Sequence, residues 1–116
     1  MKQYPERGED EIQRRGWYLY IASCSDQTFY TGITTNLARR IEQHNRGCGA
    51  TYTSSRKPVI LVAAWSFTSR SEALHAEVKM KQLSHQRKAE YVSDKAKDFE
   101  GGIRVGVDFL DAPPLE

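Results

Sequence analysis

Five side chains in this sequence are of the types that handle phosphate. Tyr20 and Tyr30 supply phenols, Arg40 and His44 supply cationic or neutral nitrogen donors, and Glu77 supplies a carboxylate. Arg40 and His44 stand four residues apart, so on a helix they lie on one face, one turn from each other. Two phenols on neighbouring strands followed by that pair would form a compact cluster of hydroxyls and cationic donors at a sheet edge, and phosphate chemistry is its natural use.

The segments around these residues say how they are positioned. Trp17-Tyr18-Leu19-Tyr20-Ile21 and Phe29-Tyr30-Thr31-Gly32 are aromatic and β-branched, which predicts a hairpin turning at Ser25-Asp26-Gln27. With a three-residue loop, Tyr20 lies across from Gly32 and Tyr30 across from Ala22, so both phenols share one face. A two-residue loop would separate them. Gly32 opposite Tyr20 leaves that ring uncovered, as a closely approaching ligand requires. Thr34 or Thr35 can cap the helix that follows, Leu37 and Ile41 form its buried stripe, and Gly47 is placed to end it.

Gly47 to Pro58 is predicted as a long loop of small residues, hydroxyls and two adjacent cations, which either tracks a phosphate backbone through Tyr52, Thr53, Arg56 and Lys57 or is simply mobile. Arg39 and Lys81 are further cations placed to meet such a backbone. Val59 to Phe67 reads as a third strand, apolar on both faces at its start and so covered by helices. Ser69-Arg70-Ser71-Glu72 has the form of a capping box opening a helix with the stripe Ala73, Ala76, Met80 and Leu83. Glu77 falls at the margin of that buried stripe. A carboxylate there needs a partner, and Arg40, a lysine or a metal cation would each serve. Ser84 is placed to cap a last helix through Tyr91 and Val92, and Ile103 to Val107 alternates as one short strand would.

With 116 residues the chain has room for one domain, and a chain of this size buries roughly two-thirds of its unfolded surface. The expected organisation is a polar, acidic arm over 1–13, a folded domain over 14–98 and a tail over 99–116. No apolar run approaches the roughly 20 residues that span a bilayer, and the first residues lack the apolar core of a secretory signal, so the cytoplasm is the default. Cys24 and Cys48 have no C-x-x-C spacing and the three histidines form no ligand pattern with them, which argues against zinc and against a disulfide framework. The net charge of +2 conceals a division: Arg14 to Asp98 hold 14 Lys/Arg against 7 Asp/Glu, a net +7, and the two ends hold 3 against 8, a net −5. A basic body is the footprint of a polyanion binder.

Taken in order, these features resemble the GIY-YIG nuclease superfamily, and specifically its small stand-alone bacterial members, over about Gly16 to Tyr91. The GIY tripeptide would be Tyr18-Leu19-Tyr20 and the YIG tripeptide Tyr30-Thr31-Gly32. Thr34 to Arg40, His44-Asn45, the Gly-Ala-x-Tyr-Thr stretch at Gly49 to Thr53, and Glu77 within Ala73 to Lys79 follow in the family's order. The chain departs from the pattern where Tyr18 replaces the glycine of GIY, and where no asparagine follows the glutamate. The resemblance implies an α+β fold with a small three-stranded, largely antiparallel sheet flanked by about three helices. It implies Tyr20 and Tyr30 as general base and its support, Arg40 as the arginine at the transition state, His44 as a supporting histidine and Glu77 as the sole carboxylate ligand of Mg²⁺ or Mn²⁺. The implied activity is metal-dependent hydrolysis of DNA with little sequence specificity, with selectivity for branched or single-stranded structure and a link to repair or recombination as its expected refinements. RNA as substrate and a protein partner stay open, as does a non-catalytic nucleic-acid-binding module on the same fold.

Overall fold

The computed structural model describes residues 16–107. The acidic arm over 1–13 and the end of the tail lie outside the described residues. Eight elements follow one another: β1 (Trp17–Ser23), β2 (Phe29–Thr34), α1 (Leu37–Asn45), α2 (Thr51–Ser54), β3 (Ile60–Phe67), α3 (Arg70–Lys81), α4 (His85–Ser93) and β4 (Ile103–Val105). The fold is α+β, with a single antiparallel sheet in the order β2-β1-β3-β4. The sheet has four strands where three were the core expectation. β4 adds to the outer side of β3, pairing Ala64 with Val105 and Ser66 with Ile103. Three hydrogen bonds fix it there: Arg104 donates to the carbonyls of Tyr91 and Asp94 at the end of α4 (2.8 and 2.7 Å), and Trp65 Nε1 donates to Lys97 O (2.9 Å).

The hairpin has the anticipated register, with Tyr20 opposite Gly32 and Ala22 opposite Tyr30. Its turn explains why. Cys24 N donates to Thr28 O, Gln27 N donates to Cys24 O, and Gln27 takes a left-handed backbone (φ 70°), the pattern of a three-residue hairpin loop.

β1 lies inside the sheet and separates two apolar layers. Tyr18, Tyr20 and Ala22 face Leu37, Val59 and Leu61 on the α1 side, and Leu19 and Ile21 face Ala73, Ala76 and Met80 of α3. Leu61 and Ala63 belong to opposite layers because the register slips between Ile21 and Ala22, leaving Val62 as the extra residue of a β-bulge. Leu19, Ile21, Trp65 and Met80 are all completely buried. Truncating side chains of this size typically costs on the order of 2–5 kcal/mol, so this layer is the rigid base on which the tyrosine face rests.

The helix limits differ from the sequence reading in instructive places. Asn36, not Thr34 or Thr35, caps α1: its side chain accepts from Arg39 N, and Thr34 Oγ1 in turn accepts from Asn36 N. Gly47 ends the helix with φ +86°, a left-handed position that suits glycine. Ser69 accepts from Glu72 N, but Glu72 Oε1 takes its hydrogen bond from the Thr68 hydroxyl, so only half of the capping box forms. The stretch after Gly47 is not a continuous loop, since Thr51–Ser54 close one helical turn. Among the described residues no helix is long and apolar enough to cross a membrane.

Candidate active site

Gly32 makes room for the site. A Cβ built there would stand 2.8 Å from Tyr20 Oη and 3.1 Å from Tyr30 Cε2, so the two phenols can flank this strand position only if it carries no side chain. The ring centroids of Tyr20 and Tyr30 are 6.2 Å apart, and the His44 ring meets both edge-on, 6.0 Å from Tyr20 and 5.0 Å from Tyr30. Tyr20 and His44 are almost wholly inaccessible, whereas Tyr30 is half-buried; the Tyr20 ring expected to lie uncovered opposite Gly32 is instead closed over, because the two phenols themselves fill the space that the glycine leaves.

Hydrogen bonds order this cluster. Tyr20 Oη lies 2.7 Å from His44 Nε2, and His44 Nδ1 lies 2.7 Å from Thr53 Oγ1. The Thr53 hydroxyl donates its own proton to Ala50 O (3.2 Å), so toward His44 it can only accept. Nδ1 therefore carries the imidazole proton, Nε2 is left as an acceptor, and Tyr20 donates to it. The result is a directed relay from Tyr20 through His44 and Thr53 to a backbone carbonyl. Gly49 lies flat against the imidazole; a Cβ on Gly49 would collide with His44 Nδ1 and stand 2.7 Å from Cγ.

The electrostatics hold both groups neutral. Burial pushes the Tyr20 phenol well above its usual range, and Arg40 beside it pulls the other way without cancelling the effect. His44 is pushed down to about 4, first by burial and then by Arg40. This has a consequence for stability with a definite sign. The folded value lies below the ordinary 6.5, so the stabilisation is complete above that pH and is lost as pH falls toward 4. A shift of this size corresponds to about 3 kcal/mol. Between pH 6.5 and 4, the unfolding free energy measured in urea is expected to fall by up to about 3 kcal/mol more in the parent than in His44→Gln. Parallel pH profiles would show that His44 is not the group being titrated.

Arg40 is aimed by two acceptors, Gln43 Oε1 (3.0 Å) and the Gly49 carbonyl (2.9 Å). Glu77 comes from α3, which packs on β1 and β2. Its side chain is 17% exposed and pairs with Lys81 Nζ at 3.2 Å, so of the three partners open to it the lysine is the one it meets. The carboxylate is near enough for its charge to add to the rise in the Tyr20 phenol. The fold thus brings Tyr20, Tyr30, Arg40 and His44 into one cluster, with Glu77 at electrostatic range of it.

The residues expected to line a nucleic acid are placed less uniformly. Arg39, Lys57 and Lys81 are exposed. Thr53 is completely buried, and its hydroxyl serves His44 instead of facing outward. Tyr52 donates to Thr28 Oγ1 (2.8 Å), and Arg56 lies 3.9 Å above the Tyr52 ring while its Nε pairs with Asp26 at 3.0 Å. These contacts latch α2 to the hairpin turn. The stretch read as a backbone-tracking loop is therefore in large part the mount for His44 and Arg40. Sequence reasoning missed Gly49, Gln43 and this role of Thr53, and the available signal was a hydroxyl residue shortly after two close glycines and a catalytic-type histidine.

A profile of the GIY-YIG catalytic domain matches residues 16–90. The chain is 50% identical over 90 residues to the UPF0213 protein DP2720 of Desulfotalea psychrophila, covering 77% of this chain and 82% of that one. It is 46% identical over 88 residues to the UPF0213 protein BH0048 of Halalkalibacterium halodurans, covering 76% and 94%. Among solved structures, the solution NMR structure of BH0048 is similar at 47% identity with a TM-score of 0.44, covering 66% of this chain and 82% of that one. That of EF2693 from E. faecalis is similar at 43% identity with a TM-score of 0.46, covering 65% and 80%. The profile match takes in both tyrosines, Arg40, His44 and Glu77, and the chain belongs to the GIY-YIG family.

Proposed function

We propose that this protein is a divalent-metal-dependent endonuclease that hydrolyses DNA phosphodiester bonds with little sequence specificity, with a preference for branched or single-stranded structure and a place in repair or recombination. The observation that carries this reading is the directed relay from Tyr20 to His44 beside an Arg40 held by two acceptors. Because Tyr20 gives its proton to His44 Nε2, its oxygen, which Arg40 also approaches as a donor, keeps a lone pair that can receive a proton from an attacking water. As Tyr20 takes that proton, its own can pass to Nε2, and the Nδ1–H bond to Thr53 keeps the ring in place. Tyr30, half-buried on the same face, supports the water, and the remaining N–H donors of Arg40 are available to the phosphoryl oxygens as their charge builds.

Nucleases of this family generally use divalent metals. The residues fit such an ion in one respect: the Glu77 carboxylate already faces a cation, the Lys81 ammonium at 3.2 Å. A single carboxylate suits Mg²⁺ or Mn²⁺, hard ions that keep several waters and share phosphate oxygens. Bound at Glu77, such an ion would supply charge stabilisation to the scissile phosphate.

The test is nicking of supercoiled plasmid and of branched DNA. Cleavage is expected with Mg²⁺ or Mn²⁺ and is expected to stop with EDTA. DNA binding without cleavage in either ion would leave a binding module and remove hydrolysis.

A further inference from the structure

β2 is the terminal strand of the sheet, and a groove of about 250 Å³ along it is lined by Phe29, Tyr30, Thr31, Tyr52, Lys81 and Lys88. Tyr30 belongs both to this groove and to the tyrosine cluster, so the two are continuous. Successive strand residues point to opposite faces, which sets Thr31 on the side of α3 and α4, from which the lysines come.

We propose that this groove is a phosphate subsite, in which Lys81 and Lys88 share one backbone phosphodiester of the bound DNA beside the Thr31 hydroxyl. The proposal rests on the nuclease reading for the identity of the ligand. Three observations carry it. Thr31 is 4% exposed and its hydroxyl has no hydrogen-bond partner, a situation that typically costs about 1–3 kcal/mol in a buried group. A phosphate oxygen is an acceptor for that hydroxyl and for both ammoniums. Lys88 is half-buried and, among the described residues, has no ion-pair partner. Burial, and secondarily Lys81, make its ammonium easier to deprotonate than usual, which places two like charges at one groove where an anion would relieve them. Glu77 is the carboxylate that competes, through its pair with Lys81. Phe29, stacked on His85 with centroids 4.4 Å apart, supplies an apolar wall.

The experiment measures binding of the full chain to a fluorescein-labelled DNA oligonucleotide at several salt concentrations, in EDTA so that cleavage does not enter. Lys81→Gln and Lys88→Gln are each expected to weaken binding about three- to tenfold at low salt, since each removes one charge from a phosphate contact. Together they should lower the slope of log affinity against log salt by about one, because they share one phosphate. Thr31→Val, which keeps the shape and removes the hydroxyl, should weaken binding a few-fold. Arg87→Gln, on the same helix as Lys88 and paired with Glu90 at 3.5 Å, should leave the slope unchanged. Circular dichroism checks that each variant is folded. An unchanged slope in the double lysine variant overturns the subsite, and a fall of about two overturns the shared phosphate. A parent that binds with this groove dependence but never cleaves overturns the nuclease reading alone; one that cleaves and keeps its slope in the double variant overturns the groove alone.

Discussion

Replacing Glu77 by glutamine is expected to lower metal-dependent cleavage by on the order of a hundred- to a thousandfold or more, while the unfolding free energy changes by no more than about 1 kcal/mol. Glutamine keeps the volume and one oxygen acceptor but removes the charge a hard divalent ion needs. What the fold loses is the pair with Lys81, whose ammonium side is 54% exposed, and such pairs contribute little to stability. Loss of activity in a protein with unchanged melting would separate a role in the reaction from a role in the fold. Near-normal cleavage by Glu77→Gln would rule out the metal-ligand assignment.

Arg40→Ala is expected to reduce cleavage by a comparable hundred- to thousandfold, and Arg40→Lys should not restore it. The reason lies in how the side chain is held. One terminal nitrogen is committed to Gln43 Oε1 and the other to the Gly49 carbonyl, and the plane defined by those two bonds aims the remaining N–H groups. A lysine ammonium is a single point donor on a flexible stem and cannot satisfy both acceptors while presenting a flat face to phosphate. The lysine variant also leaves a half-buried carbonyl short of its donor. Single-turnover rates at saturating DNA give the measurement, and recovery to within a few-fold of the parent in Arg40→Lys would show that charge alone suffices.

Local chemistry made much of this molecule readable from its sequence. The alternation of Tyr18, Tyr20 and Ala22 against Leu19 and Ile21, with a loop of three residues, determines the hairpin register, and the register determines that Tyr20 and Tyr30 share a face. The i, i+4 spacing of Arg40 and His44 likewise follows from helix geometry alone. The parts that escaped depend on contacts distant in sequence. The role of Thr53 arises only when α2 folds back over α1 and the hairpin turn, a closure latched by Arg56 on Asp26 across thirty residues of chain. Nothing local distinguishes a hydroxyl that faces a ligand from one that orients a buried imidazole. β4 was legible as an alternating segment, but its docking on β3 relies on Arg104 reaching the end of α4. The cap falls at Asn36 and not at either threonine because the helix begins at Leu37: Thr34 is still held in β2, Thr35 stands one residue too early, and the Asn36 side chain reaches Arg39 N.

The two ends of the sheet raise a matter of solubility. An open strand edge is a template on which a second polypeptide can add a strand, and proteins suppress this by shortening the edge strand or by placing charge beside it. Here each end uses a different device. β4 is only three residues long, too short to offer much of a ladder. β2 is twice that length, and Lys81 and Lys88 stand along it, so a second copy of the strand arriving there would bring its own two ammoniums against these. Charge that repels another chain of the same kind attracts a polyanion, so the proposed phosphate subsite would also guard the outer side of β2 against an extended polypeptide.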